Sequence, residues 1–303
     1  MSRIAITGAT GLIGRALQDS LVADGHRIVR VVRDPRAATP GDVVWDPEGG
    51  SIDAAGLEGV DAVVHLAGEP IGASRWTEAT RRRIHDSRQR GTGLLARTLA
   101  GLEQRPTVFV SSSAVGIYGA RGSEALTEES SHGDDFLAEV CIAWEQAADP
   151  AREAGIRVVH PRTGVVIAKD GPLIDKVELP FRLGVGGKVG TGRQYVPWIS
   201  LHDEVAALRF LIDRPIDGAV NLTGPNPATN LELTKALGTV LRRPTLMPIP
   251  AFAIRLLYGE MGETLATVSQ RVLPTRLLDA GFAFRHSTIL AALSAAFGRS
   301  VSI

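Results

Sequence analysis

The chain has 303 residues, of which 44% are hydrophobic and 22% charged, and its 33 basic side chains balance 33 acidic ones. This ordinary globular composition excludes a disordered or collagen-like chain, and at this length a core forms without disulfides or metals. Zero net charge speaks against nucleic acid or an anionic membrane as the main partner, and the single cysteine, Cys141, leaves no internal disulfide and no cysteine-based zinc site.

No apolar run reaches the roughly twenty residues that a membrane helix needs. Met1 and Ser2 lead directly into a strand-like run, without the parts of a secretory signal. The expectation is a cytoplasmic protein acting on a small molecule, with no nucleic-acid or membrane partner; its oligomeric state is not legible.

Runs rich in Val and Ile predict strands over residues 3–7, 27–32, 42–45, 62–66, 107–111 and 157–161. Helical patterns fall between them, over 12–23, 77–102 and 136–154, with Ile84, Leu94, Leu95 and Leu99 at helical spacings in the long middle one. The alternation predicts an α/β fold, a Rossmann-type doubly wound parallel sheet. Beyond residue 161 glycine and proline become more frequent, and 184–192 reads as a glycine-rich loop. Strand character returns around Asn221, Thr229 or Asn230 caps a helix reaching about Leu241, and further helical stretches cover about 254–272 and 287–297. Residues 1–168 are expected to form the dinucleotide-binding domain and 169–303 a smaller substrate-binding region, with segments around 195–225 returning to the first.

The first predicted strand ends in Thr7-Gly8-Ala9-Thr10-Gly11-Leu12-Ile13-Gly14 and a helix follows at once. Gly8 suits the tight turn, Gly11 lets backbone approach a pyrophosphate, and Gly14 lets helix and strand pack closely. The backbone at Thr10, Leu12 and Ile13 then presents the amides and partial positive charge of a helix N-terminus to the phosphates. An NAD site carries Asp or Glu about twenty residues on. Val32 stands where that acid is expected, followed by Arg33, whose guanidinium suits a 2′-phosphate. NADP(H) is therefore the favoured cofactor, with Asp34 as the competing ribose ligand if the register shifts by one.

These residues resemble the extended, nucleotide-sugar-epimerase-like branch of the short-chain dehydrogenase/reductase superfamily. The resemblance rests on the glycine loop, His65-Leu66-Ala67-Gly68, Ser111-Ser112-Ser113-Ala114-Val115-Gly116-Ile117-Tyr118-Gly119, Pro161-Arg162-Thr163-Gly164 and Trp198 to Val205. More narrowly, Gly68-Glu69-Pro70-Ile71, Arg75-Trp76-Thr77, Phe136 to Cys141 and the tail with Gln270, Arg271, Pro274, Gly281, Phe282 and Phe284 resemble the SDR39U1-like group of atypical epimerase-family proteins. The resemblance implies cofactor contacts at His65, Leu66, Ala67, Gly68 and Ser111.

It also implies a departure. Active members use a Tyr-x-x-x-Lys pair for proton exchange with a substrate hydroxyl. The tyrosines here are Tyr118, Tyr195 and Tyr258, and four residues after each stand Gly122, Ile199 and Gly262. Alignment on Glu145 puts Leu137 at the tyrosine position and Cys141 at the lysine position. The family's serine survives as Ser113.

Catalytic candidates are thus Ser113, Tyr118 as a phenol near the nicotinamide pocket or an aromatic shelf, and Glu139, with Glu145 on the same helix; either glutamate also serves as a plain helix charge. Arg75 and Arg88 suit a carboxylate or phosphate, or else surface ion pairs, with Trp76 as a stacking wall and Glu69 beside them. Gln194 and Trp198 lie in the stretch where extended family members shape the substrate site. The sequence contains no H-E-x-x-H or C-x-x-C metal pattern.

Overall fold

The computed structural model describes residues 1–299, apart from the side chains at 257, 258, 263 and 265. The chain begins β1 (Arg3–Thr7), α1 (Leu12–Ala23), β2 (Arg27–Val32), β3 (Val43–Asp46), β4 (Ser51–Ile52), β5 (Ala62–His65) and α2 (Glu78–Gly101). It continues through β6 (Val108–Ser111), β7 (Ser113–Ala114), β8 (Ala125–Leu126), α3 (Phe136–Gln146), α4 (Asp149–Glu153), β9 (Arg157–Thr163) and β10 (Val165–Ile167). Next come α5 (Pro172–Arg182), β11 (Tyr195–Val196), β12 (Trp198–Ser200), α6 (Leu201–Asp213), β13 (Gly218–Leu222), β14 (Ala228–Thr229) and α7 (Asn230–Leu241). The last elements are α8 (Ala251–Thr267), β15 (Arg271–Val272), α9 (Thr275–Asp279) and α10 (Ile289–Ala296).

The main sheet has the order β13-β9-β6-β5-β1-β2-β3-β4, with β7 continuing alongside β9. Every pairing in it is parallel except β3 with β4. Central strands β1, β5 and β6 are apolar almost throughout because helices cover both faces. Leu17 and Leu21 of α1 pack with Val205, Leu208 and Leu211 of α6 on one face, while Leu95 and Leu99 of α2 and Ala151 of α4 cover the other. Each such leucine contributes roughly 1.5–3 kcal/mol by leaving water. A third apolar cluster gathers α5, α7, α10 and Trp198.

The predicted strands and the helices of the first half appear within a residue or two of their expected bounds, with one break. Residues 136–154 form two helices, α3 and α4, because Pro150 lacks the N–H that a continuous helix would use. Helices α5 and α6 lay outside the expected elements. Pro172 and Pro180 obscure the first, and α6 is announced by Ser200, whose hydroxyl accepts from the Asp203 N–H as an N-cap. The stretch expected as helix over 254–272 ends at Thr267, and Arg271–Val272 instead pairs with Ala125–Leu126. β13 lies in the main sheet beside β9, and α6 packs with α1 on that sheet's face. Among the described residues no helix is long and apolar enough to cross a membrane.

Candidate functional site

The first α1 turn forms a cradle built from backbone. Gly8 has φ +66, and a Cβ there would stand 2.8 Å from the Leu66 carbonyl carbon; at Gly14 a Cβ would stand 2.3 Å from the Gly8 oxygen. Both positions therefore require glycine. Gly11 caps α1 without a side-chain hydrogen bond, which leaves the amides at Leu12 and Ile13 for an anion. Thr10 and Gly11 are exposed at the lip. The backbone fits a pyrophosphate.

Arg33 follows β2 at the same edge of the sheet, exposed, with no side-chain partner among the described residues. Asp34 is already spent. It accepts from the Arg36 N–H and from both Nε and Nη2 of Arg36 at 3.0 Å, which holds its carboxyl below the ordinary range. The competing ribose-ligand role of Asp34 thus meets a carboxylate committed to a local turn.

At the C-terminal end of β5, His65 is fully buried. Thr7 Oγ1 accepts the Leu66 and Ala67 N–H groups, so its proton goes to His65 Nδ1 at 2.7 Å, and Nε2–H donates to Thr92 Oγ1 at 3.0 Å. Burial, then the Arg88 charge, lowers the imidazole to about 3. The expected cofactor contact through His65 is corrected by this geometry: both ring nitrogens are used inside the protein, and the residue holds Thr7, whose hydroxyl oxygen fixes the backbone of Leu66 and Ala67. Ser111 pairs beside His65 in β6, fully buried, its hydroxyl without a partner.

A largely buried polar chain includes Ser113, itself 3% exposed. Its hydroxyl donates to Glu145 Oε1 at 2.7 Å. Arg162 grips the same carboxylate, Nε to Oε1 at 2.9 Å and Nη2 to Oε2 at 3.0 Å, and its Nη1 donates to the Tyr118 oxygen at 2.9 Å. Tyr118 then donates to Asn221 Oδ1 at 2.7 Å. Burial works to raise the Glu145 carboxyl, but the Arg162 hydrogen bonds and charge outweigh it, so Glu145 is held below the ordinary range and is ionised.

The structure corrects three other expectations. Tyr118 is completely buried and its phenol, raised chiefly by burial, is spent on Arg162 and Asn221, so it neither donates at the cleft nor forms a shelf. Glu139 is exposed on the first turn of α3, away from the Ser113 network, which takes Glu145 from that helix instead. Trp198 is 1% exposed, packed on Gly224 with its indole donating to the Asn226 carbonyl; it is core.

The loop after β5 lies under the C-terminal elements. Arg75 donates to the Leu256 carbonyl, Lys176 to that of Gly72, and Arg81 pairs with Glu260. Trp76 donates to the Ile71 carbonyl and stands edge-on to Phe136, with Arg81 over both rings. Gln194 ties the glycine-rich loop to α8 through the Val189 and Ala266 carbonyls. Glu69 lies 3.7 Å from Arg83, and Arg88 stacks on Gly68. Leu137 and Cys141 pack on Gly116 and form an apolar wall there. Burial pushes the Cys141 thiol up to about 12.

Sequence reasoning assigned no role to Arg162, Asn221 or Glu204. Arg162 carried a signal: a cation in a strand flanked on both sides in the main sheet demands a buried counter-charge. Glu204 is fully buried, accepting from Thr163 Oγ1 at 2.8 Å, and burial raises it to about 8.

Comparison with known proteins agrees with this architecture. Residues 4–223 match the NAD dependent epimerase/dehydratase family, and residues 249–296 match a domain of unknown function, DUF1731. Epimerase family protein Mb2239 of Mycobacterium bovis is 42% identical over 297 residues, 98% of each chain. Epimerase family protein SDR39U1 of Homo sapiens is 34% identical over 295 residues, 96% of this chain and 98% of its own. The crystal structure of human SDR39U1 (isoform 2) with NADPH superposes with a TM-score of 0.87 at 32% identity, covering 98% of this chain and 99% of the other. Glycine cradle, parallel sheet and full-length likeness lead to one conclusion: the chain belongs to the NAD dependent epimerase/dehydratase family, among its SDR39U1-like members.

Proposed function

We propose that the protein is an NADP(H)-dependent oxidoreductase or epimerase-like enzyme of the cytoplasm, acting on a small molecule without a Tyr-x-x-x-Lys pair. The observation that carries the cofactor choice is the pair Arg33 and Asp34: Arg33, just past β2, is exposed with no side-chain partner among the described residues and so is free to meet a 2′-phosphate, and the neighbouring acid is tied to Arg36. The human relative crystallised with NADPH supports the same reading. NADPH would supply hydride, and NADP+ would take it up, when bound.

The chain's own part is to bind and to handle a proton. Gly8, Gly11 and Gly14 admit the pyrophosphate, and Leu66 to Gly68 continue the cradle toward Ser113. Because Ser113 gives its proton to an ionised Glu145, the lone pairs of its oxygen are left to accept a proton from a substrate hydroxyl. Oxidation would pass that proton to Glu145, and reduction would return it. The apolar wall of Leu137 and Cys141 favours a second reading, a protein that binds NADP(H) without chemistry and reports cofactor state.

One screen separates the readings. Purified protein is given NADPH deuterated at either face of nicotinamide C4 and a metabolite extract, and products are followed by mass spectrometry. Label in one metabolite is the expected result. NADPH binding with no label in any metabolite, and no isotope exchange within one, would leave the sensor.

A further inference from the structure

The Nε and Nη2 edge of an arginine meets both oxygens of a carboxylate at once. Arg30 presents it to Asp42, Arg36 to Asp34, Arg121 to Glu124 and Arg162 to Glu145. Arg88 departs from this pattern. Its Nη1 donates to the carbonyl oxygens of Glu69 and Ile84 at 3.0 and 3.1 Å, which uses both of that nitrogen's protons. Its guanidinium lies against Gly68, where a Cβ would stand 3.2 Å from Cζ, and 4.8 Å from the Trp144 ring centroid. Among the described residues Nε and Nη2 meet no acceptor and no carboxylate pairs with this cation.

A second unspent donor lies beside the first. Trp144 is 6% exposed, and its indole nitrogen is buried without a partner. Buried N–H groups are nearly always paired, so a buried indole N–H packed against a guanidinium whose Nε and Nη2 are also unpaired among the described residues points to a missing acceptor group. Carbonyls close Nη1 and packing covers the guanidinium face at Gly68, so the open edge is the fork. Its partner is planar and singly charged. Glu69 bears on Arg88, and Glu145 and Arg88 both bear on Cys141, so a dianionic phosphate would add two charges beside two existing carboxylates.

We propose that the Nε/Nη2 edge of Arg88, with the Trp144 indole N–H beside it, binds a carboxylate group of the substrate next to Gly68. This deepens the oxidoreductase reading and rests on it: the substrate is a carboxylate-bearing metabolite. Gly68 suits the site, since a Cβ there would crowd the guanidinium at 3.2 Å from Cζ.

The test uses acetate as probe and acetamide as its neutral control, followed by saturation-transfer NMR on the NADP-loaded protein. Wild type is expected to bind acetate and not acetamide. Arg88→Met should weaken acetate at least tenfold and Trp144→Phe severalfold, with NADPH affinity unchanged in both. Arg88→Lys, which keeps the charge but not the fork, should also lose acetate, and it serves if the methionine variant fails to fold. Absence of acetate binding by wild type, wild-type acetate affinity retained in Arg88→Met or Arg88→Lys, or stronger competition by inorganic phosphate would each overturn the assignment. A parallel loss of NADPH affinity would give the fork to the cofactor and overturn it too. Failure of the oxidoreductase reading shows separately, as no label transfer from deuterated NADPH to any metabolite while acetate titration of the protein still depends on Arg88.

Discussion

The Ser113 hydroxyl donates to Glu145 at 2.7 Å, across 32 residues of sequence, and this contact joins the sheet edge to a helix whose usual proton-handling pair is absent. If Ser113 passes a substrate proton to Glu145, Ser113→Ala should lower hydride transfer by roughly 10²-fold or more while leaving NADPH affinity and melting temperature near wild type. Unchanged single-turnover transfer in that variant would remove Ser113 from the chemistry.

Arg162 makes Glu145 available as an anion and has a structural cost when removed. The pair is largely buried, and loss of one partner leaves the other charged and unpaired. Arg162→Met is expected to destabilise the protein by about 3–5 kcal/mol, read by urea unfolding. Arg36→Met, at a wholly exposed pair, should leave the unfolding midpoint unmoved.

Cofactor preference turns on Arg33. Arg33→Ala should weaken NADPH much more than NADH, because only the former carries the 2′-phosphate that the guanidinium would meet. Calorimetric titration with both cofactors decides it, and equal losses would end the 2′-phosphate assignment.

The sheet was legible because its determinants are local: a Val- and Ile-rich run such as residues 62–66 has one stable placement between two helical layers. Glycines 8, 11 and 14 were legible for the same reason, since backbone clash fixes them. Side-chain direction was not. Tyr118 stands one step past the serine strand, yet it turns inward because Arg162 and Asn221, 44 and 103 residues away, offer its hydroxyl two partners. Trp198 turned out to be core because Gly224 leaves room for its ring. Such fates depend on segments that meet only after folding, and no spacing rule records them.

Cys141, packed on Gly116 in α3, should be chemically silent. It is buried, and burial together with the Glu145 charge pushes its thiol up to about 12, so almost no thiolate exists near neutrality. A disulfide exchange reagent at pH 7.5 should label it only on the timescale of unfolding. Rapid labelling of native protein would mean that the wall formed by Leu137 and Cys141 opens.

Glu204 gives the protein a pH dependence of definite sign. Its carboxyl is raised to about 8 by burial, against an unfolded value near 4.3. The fold holds the protonated form, so its stability contribution is complete below the unfolded pKa and is lost as pH rises through the folded one. Thr163 donates to Oε1, and Oε2 has no partner among the described residues, so ionisation would meet little compensation. Glu204→Gln keeps the acceptor that Thr163 uses and cannot ionise. Between pH 5 and pH 8.5 the wild-type melting temperature should fall relative to this variant by roughly 3 °C or more, measured by paired calorimetric scans. Two curves that stay parallel across that window would show that Glu204 finds a cation or water when it ionises, and its raised pKa would have to be abandoned.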